Sequence, residues 1–159
     1  MRYVMKQKLF SFGSRFAIRD ENGQDAFFVQ GEIFTLGHKL SFQDTGGREL
    51  LYIQQKLLSL EKTYELYRGD EHAGTIRKDL FTIFRCTFEI HIDGHGDLEA
   101  TGNLTDHEYE IARNGRPVAQ ISKQWFTWAD TYGVDIAEGE DPVLILASTV
   151  VIDMCCHHR

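Results

Sequence analysis

Three groups of residues in this chain have types and spacings suited to chemistry. The first is His91-Ile-Asp93-Gly-His95-Gly-Asp97. Residues two apart on a strand share a face, so His91 and Asp93 can meet one ion there, with His95 close by. The same stretch also reads as a Gly-rich hairpin tip, which favours Asp and Gly for backbone reasons alone. It departs from the EF-hand pattern, because Leu98 stands where that pattern needs Gly. The second group is Cys155-Cys156-His157-His158. Its ligand types suit zinc or copper, but adjacent ligands do not readily close a tetrahedron, and two small apolar residues ending a buried helix is the better reading. The third group is cationic. Lys6, Lys8, Arg15 and Arg19, with Lys39 further on, can make charge-assisted bonds to phosphate oxygens. With Arg2, the first four of these are the charged residues of positions 1–19, which contain no acid. The competing reading is an ordinary solvated strand face. We find no nucleophile elbow, phosphate-binding loop or spaced zinc signature, and therefore assign no catalytic residue, no metal and no cofactor.

These residues need a scaffold, and the scaffold is legible. Asp141 to Cys156 is the most continuously apolar run in the chain. Six of its residues are β-branched, which favours a strand. Its length, the Asp141-Pro142 pair and the acids at 138, 140 and 141 favour a helix over about 142–156, with His157, His158 and Arg159 placing positive charge at the other end. The apolar residues cover every face, so this helix is buried all round. At about 1.5 Å per residue it reaches roughly 22 Å. That is short of the ~20 apolar residues a bilayer span requires, and it contains Asp153. A carboxylate that late in a buried helix requires a partner: water at a mouth or a barrel cation.

Before the helix, residues 3–136 read as short alternating strands separated by turn signals. Asn22-Gly23 and Asn114-Gly115 are tight-turn pairs, as are Gly46-Gly47 and Gly94 in their contexts. From Phe84 to Ile92 the alternation is strict, with Phe84, Cys86, Phe88, Ile90 and Ile92 on one face. Trp125, Phe126 and Trp128 read as an aromatic cluster, packed across the barrel end or used as an anchor. About twelve strands with short connections imply an antiparallel sheet, and that number curls into a closed barrel too wide for its own side chains to fill. The terminal helix fits as its plug. The prediction is a mainly β, about twelve-stranded antiparallel closed barrel around a buried hydrophobic C-terminal helix, as one domain spanning residues 1–159.

Composition narrows the function classes. With 159 residues, 42% hydrophobic and 26% charged, the chain is an ordinary globular one. Its net charge of -7 argues against a broad basic surface for nucleic acid. Three cysteines make no disulfide framework and the start has no signal-peptide core, so a reducing cytoplasm is the expected setting. Asn103-Leu-Thr105 fits a glycosylation sequon that such a setting leaves unused.

Four segments carry a resemblance: Phe16-Ala-Ile-Arg-Asp-Glu-Asn-Gly23, Gly37-His-Lys-Leu-Ser-Phe-Gln-Asp44, Ile53-Gln-Gln-Lys-Leu-Leu-Ser-Leu60 and Ile121-Ser-Lys-Gln-Trp125. With the terminal helix, they resemble the LURP-one-related family, itself similar to the Tubby C-terminal domain and the phospholipid scramblases. The resemblance covers nearly the whole chain. It implies a twelve-stranded barrel around a hydrophobic helix. Through Tubby-like domains it implies phosphoinositide headgroups held by basic surface residues, and through scramblases an action on membrane lipids. The favoured expectation is a non-catalytic binding or regulatory module for an anionic phospholipid, a membrane surface or another acidic partner. Lys6, Lys8, Arg15, Arg19 and Lys39 would hold the ligand, and the protein would be cytoplasmic or peripheral to a membrane, without a transmembrane span. The alternatives are a scramblase-like membrane-active protein that inserts 142–156, and a small-molecule or metal-dependent enzyme using His91, Asp93 and His95.

Overall fold

The computed structural model describes residues 1–10, 13–32, 36–79, 85–103, 108–123 and 131–156, and within them the side chains of all but 8–10, 13–15 and 103. Among the described residues, twelve strands precede one helix. They are β1 (Arg2–Phe10), β2 (Gly13–Arg19), β3 (Asp25–Gly31), β4 (Lys39–Asp44), β5 (Glu49–Gln55), β6 (Thr63–Arg68), β7 (Glu71–Lys78), β8 (Arg85–Ile92), β9 (Gly96–Asn103), β10 (Glu108–Arg113), β11 (Arg116–Ser122) and β12 (Thr131–Ile136). The helix α1 spans Pro142–Cys156. Each strand pairs antiparallel with its sequence neighbours, and β1 pairs with β12, which closes the barrel. The predicted architecture is therefore the observed one.

Period-2 alternation decides which side chains point inward. On β8, Cys86, Phe88, Ile90 and Ile92 are buried, with exposed or half-buried residues between them; Phe84 lies outside the described residues, as do Trp125, Phe126 and Trp128. The tight turns do what their residues allow. Asn114 and Gly115 have φ of 51° and 79°, the positive values a two-residue hairpin needs to match strand twist. β-bulges sit one or two residues inside four of the hairpins, at Ile18/Arg19, Phe42/Gln43, Leu66/Tyr67 and Ile111/Ala112, and add the twist that closure requires.

The helix fills the barrel. Every residue from Leu144 to Asp153 is buried, and so is Cys155. This burial explains how six β-branched residues remain helical, since packing outweighs a propensity difference of tenths of a kcal/mol per residue. The two buried hydroxyls are satisfied within the helix: Ser148 Oγ donates to the Leu144 carbonyl at 2.8 Å, and Thr149 Oγ1 to Ile145 at 2.9 Å. Asp141 is the N-cap, accepting the Val143 N–H at 3.0 Å. At the other end Lys78 Nζ stands 3.5 Å from the Cys155 carbonyl. His157, His158 and Arg159, assigned that role from sequence, lie outside the described residues.

Chain direction gives the barrel two unlike ends. The turns 20–24, 45–48, 69–70, 93–95 and 114–115 lie at the end where α1 begins. The connections 32–38, 56–62, 79–84, 104–107 and 123–130 leave strands at the end where α1 finishes. We refer to these as the turn end and the loop end.

Two expectations are corrected. The cysteines are not all unpaired, because Cys86 and Cys156 are disulfide-bonded across 70 residues, with Cα atoms 6.7 Å apart. The start of β8 and the end of α1 meet at the loop end, which sequence spacing does not reveal. Cys155 is free and buried. The cysteine count therefore no longer supports a reducing setting. Asp153, for which water at a helix mouth was one predicted partner, is buried at 6% exposure, and it accepts a hydrogen bond from the Tyr132 hydroxyl.

Candidate functional site

Met5, Phe16 and Ile18 are fully buried, so the alternate positions of β1 and β2 lie on the outer face. The register pairs Lys6 with Ala17, Lys8 with Arg15 and Val4 with Arg19. Lys6, Lys8 and Arg15 are thus brought together in two adjacent rows, toward the loop end, and the Lys6 side chain is exposed. The other two predicted cations are not part of this group. Arg19 is at the turn end, where its Nε pairs with Asp25 Oδ1 at 3.2 Å. Lys39 starts β4, two strands from β2 and roughly 12 Å from Arg15 by strand spacing and rise. Its neighbour across β3 is Glu32, whose N–H donates to the Lys39 carbonyl at 2.8 Å and whose carboxylate accepts from the Tyr52 hydroxyl at 3.2 Å. Burial first, and the Glu32 charge next, push the Tyr52 phenol up.

Beyond these residues, charge divides between the two ends. Lys56, Lys62, Lys78 and Lys123 all stand at or next to loop-end connections. Lys123 lies over the Tyr132 ring, 4.9 Å from its centroid. Among the described residues, the acids there include Glu32, Asp79, Glu108 and Glu61, the last paired with Arg77 at 3.3 Å. At the turn end, acids take up several of the arginines. Arg2 pairs with Asp135 at 2.7 Å, Arg68 with Asp141 at 2.9 Å and Arg113 with Glu140 at 2.9 Å. The last two line a cleft of about 190 Å³ at the start of α1, floored by Ile92, Leu98, Leu144 and Ile145. Its arginines are engaged by carboxylates of the helix's own entry segment, so these ion pairs latch α1 to the barrel rim.

The candidate His91, Asp93 and His95 is only partly assembled. His91 Nε2 is 3.5 Å from Asp93 Oδ1, and His91 Nδ1 is 2.5 Å from Asp97 Oδ1. His95 is apart from them, its N–H donating to the Ile92 carbonyl at 3.0 Å within the turn. The partner missed from sequence is His72 on β7. Its Nδ1 is 2.5 Å from Asp93 Oδ2, and its Nε2 is 2.5 Å from Glu65 Oε2. Carboxylate and imidazole thus alternate across four strands: Glu65, His72, Asp93, His91, Asp97. Hydrogen bonds that the imidazolium donates to Glu65 and Asp93 raise the His72 pKa. Burial pushes Glu65 up, but bonds from His72 and Thr75 and the His72 charge outweigh it, leaving its pKa lowered. Among the described residues, no three His, Cys, Asp or Glu side chains converge as a metal site would require. No sequence signal could have found His72, because its place depends on the β6–β7–β8 register.

The loop end of the interior also carries polar groups. Tyr109 lies flat over Gly102, its register partner; a Cβ at that glycine would stand within bonding range of the ring. Burial, and secondarily the Asp153 charge, raise the Tyr109 pKa. Burial also raises the Cys155 thiol, against the opposing pull of Lys62, Tyr64 and Lys78. A thiol held protonated in this way is a poor nucleophile.

A family model described as LURP-one-related matches residues 1–153. The chain is 34% identical over 154 residues to "Uncharacterized protein YxjI" of Bacillus subtilis (strain 168), covering 97% of this chain and 93% of that one. The X-ray structure of an Arabidopsis thaliana protein, AT5G01750, superposes with a TM-score of 0.71 at 17% identity, covering 97% of this chain and 91% of that one. At that identity the second likeness concerns the fold.

Proposed function

The chain belongs to the LURP-one-related family, and from that premise we propose that it is a non-catalytic binding module that recognises an anionic phospholipid headgroup at a membrane surface. The observation that carries this reading is the β1–β2 register, which pairs Lys8 with Arg15 and sets Lys6 in the next row of the same outer face. Cations placed in adjacent rows of one face suit charge-assisted bonds to phosphate oxygens. Each also contributes about 1 kcal/mol near an anionic leaflet. The interior is filled by α1, so the outer faces and loops are what the fold can offer a ligand. The protein would act at the membrane periphery.

The layout argues against the scramblase-like alternative. The segment that would insert is the barrel's own core, and among the described residues no helix is long and apolar enough to cross a membrane. The β1–β2 reading predicts that reversing charge at Lys6, Lys8 and Arg15 together abolishes binding to phosphatidylserine vesicles, whereas reversing Arg19, already paired with Asp25, changes it little. Unchanged binding by the triple variant would refute the proposed face.

A further inference from the structure

The connection 56–62 between β5 and β6 carries three leucines that are open to solvent. Leu58 is 99% exposed, Leu60 98% and Leu57 57%. Leu36, 80% exposed, belongs to the neighbouring connection. Gly37, next to it, packs so closely on this loop that a Cβ would stand 2.7 Å from Leu57 Cδ2. Single exposed leucines are ordinary, but several together at one tip mark an interaction surface.

This loop is also a built structure. The Lys56 N–H donates to the Thr63 carbonyl at 2.8 Å, and the Lys78 N–H to the Lys62 carbonyl at 2.9 Å. Ser59 Oγ and Thr63 Oγ1 are 3.1 Å apart, and Thr63 Oγ1 donates to the Glu61 carbonyl at 3.1 Å. The loop's base is therefore fastened while its leucines face outward. Exposed Lys56 and Lys62 bracket it, and both belong to the same end of the barrel as Lys6, Lys8 and Arg15.

A leucine tip flanked by Lys56 and Lys62, with the intervening Glu61 engaged by Arg77, is complementary to one kind of surface. In an anionic bilayer the leucines reach the acyl boundary about 5–10 Å deep, while the ammonium groups extend back to the phosphates. We infer that the 56–62 loop is an apolar anchor that inserts Leu57, Leu58 and Leu60 into the headgroup region of an anionic bilayer, with Lys56 and Lys62 at phosphate level. This inference rests on the headgroup reading above and names the element that enters the membrane.

The test uses full-length Leu58→Cys labelled with a polarity-sensitive NBD dye, mixed with vesicles of phosphatidylcholine alone or with phosphatidylserine, while pelleting of the same samples is followed. Insertion predicts a blue-shifted, brighter signal with phosphatidylserine vesicles only, quenched by shallow brominated lipid. It also predicts that Leu58→Ser with Leu60→Ser lowers vesicle partitioning by about tenfold or more, the loss expected when two leucines forgo an apolar environment. Both residues are exposed, and an unchanged urea midpoint verifies the fold. Pelleting with an unchanged dye signal would overturn the anchor while leaving the β1–β2 reading intact. A dye shift that tracks protein concentration without vesicles, abolished by the serine pair, would overturn it in favour of self-association. No pelleting of the unlabelled protein by any vesicle would overturn both.

Discussion

Asp153 and Tyr132 illustrate what a buried polar pair demands of its surroundings. The carboxylate lies inside the barrel and accepts from the Tyr132 hydroxyl. Tyr132→Phe removes that donor and leaves a buried acceptor short of a bond, so it should destabilise the protein by about 1–3 kcal/mol, read as a lower urea midpoint. An unchanged midpoint would mean that the bond contributes nothing. Gly102 makes a related demand. A methyl there collides with the Tyr109 ring, and overpacking of this kind typically costs about 1–3 kcal/mol. Gly102→Ala should therefore lower the midpoint, and Gly102→Ala with Tyr109→Leu should recover part of the loss by removing the ring. Neither pair was legible in the sequence. Asp153 was recognisable as a residue in need of a partner, but the partner's identity depended on how α1 sits in the barrel.

At the level of elements, the four-strand ribbon of imidazoles and carboxylates ties β6 to β9. His72 binds its proton more tightly folded than unfolded, so its contribution to stability is fully present below the unfolded pKa of about 6.5 and is lost as pH rises through the raised folded value. Glu65 works the other way: its contribution is present above about 4.3 and is lost as pH falls through its lowered folded pKa. His72→Gln should therefore flatten the decline in thermal stability above pH 6.5 and, because the His72 bond and charge help to lower Glu65, should also weaken the Glu65 part of the decline at acid pH. A variant whose stability profile above pH 6.5 matches that of the parent would contradict this. The Cys86–Cys156 bond is the second tether, holding the end of α1 to β8. A bridge closing a loop of this length constrains the unfolded chain by up to about 4 kcal/mol. Reductant should lower the urea midpoint of the parent and leave that of Cys156→Ser unmoved.

On the scale of the whole molecule, the fold was readable and most of the candidate site was not. Alternation, Asn-Gly turns and a long all-apolar terminal run are local signals, and together they specify a closed barrel around a helix. Lys6, Lys8 and Arg15 were also identifiable, because one hairpin with a short connection brings them together. Arg19 and Lys39 were grouped with them on charge alone; the bulge beside Arg19 and the Asp25 and Glu32 neighbours emerge only from register. The leucine tip at 57–60 lies in a segment that carries the family resemblance, yet its exposure could not be read from composition. What the assembled molecule adds is polarity among the described residues, with an excess of acids at the turn end, several of them paired with arginines, and lysines interspersed with fewer acids at the loop end. That polarity is the basis for the membrane-facing account, since a net charge of -7 would otherwise repel an anionic surface. The most direct measurement is co-sedimentation of untagged protein with neutral and phosphatidylserine-containing vesicles at low and physiological salt. The account predicts pelleting with the anionic vesicles only, weakened as salt screens the lysines over about 8–10 Å. Equal pelleting with neutral vesicles, or none with either, would contradict it.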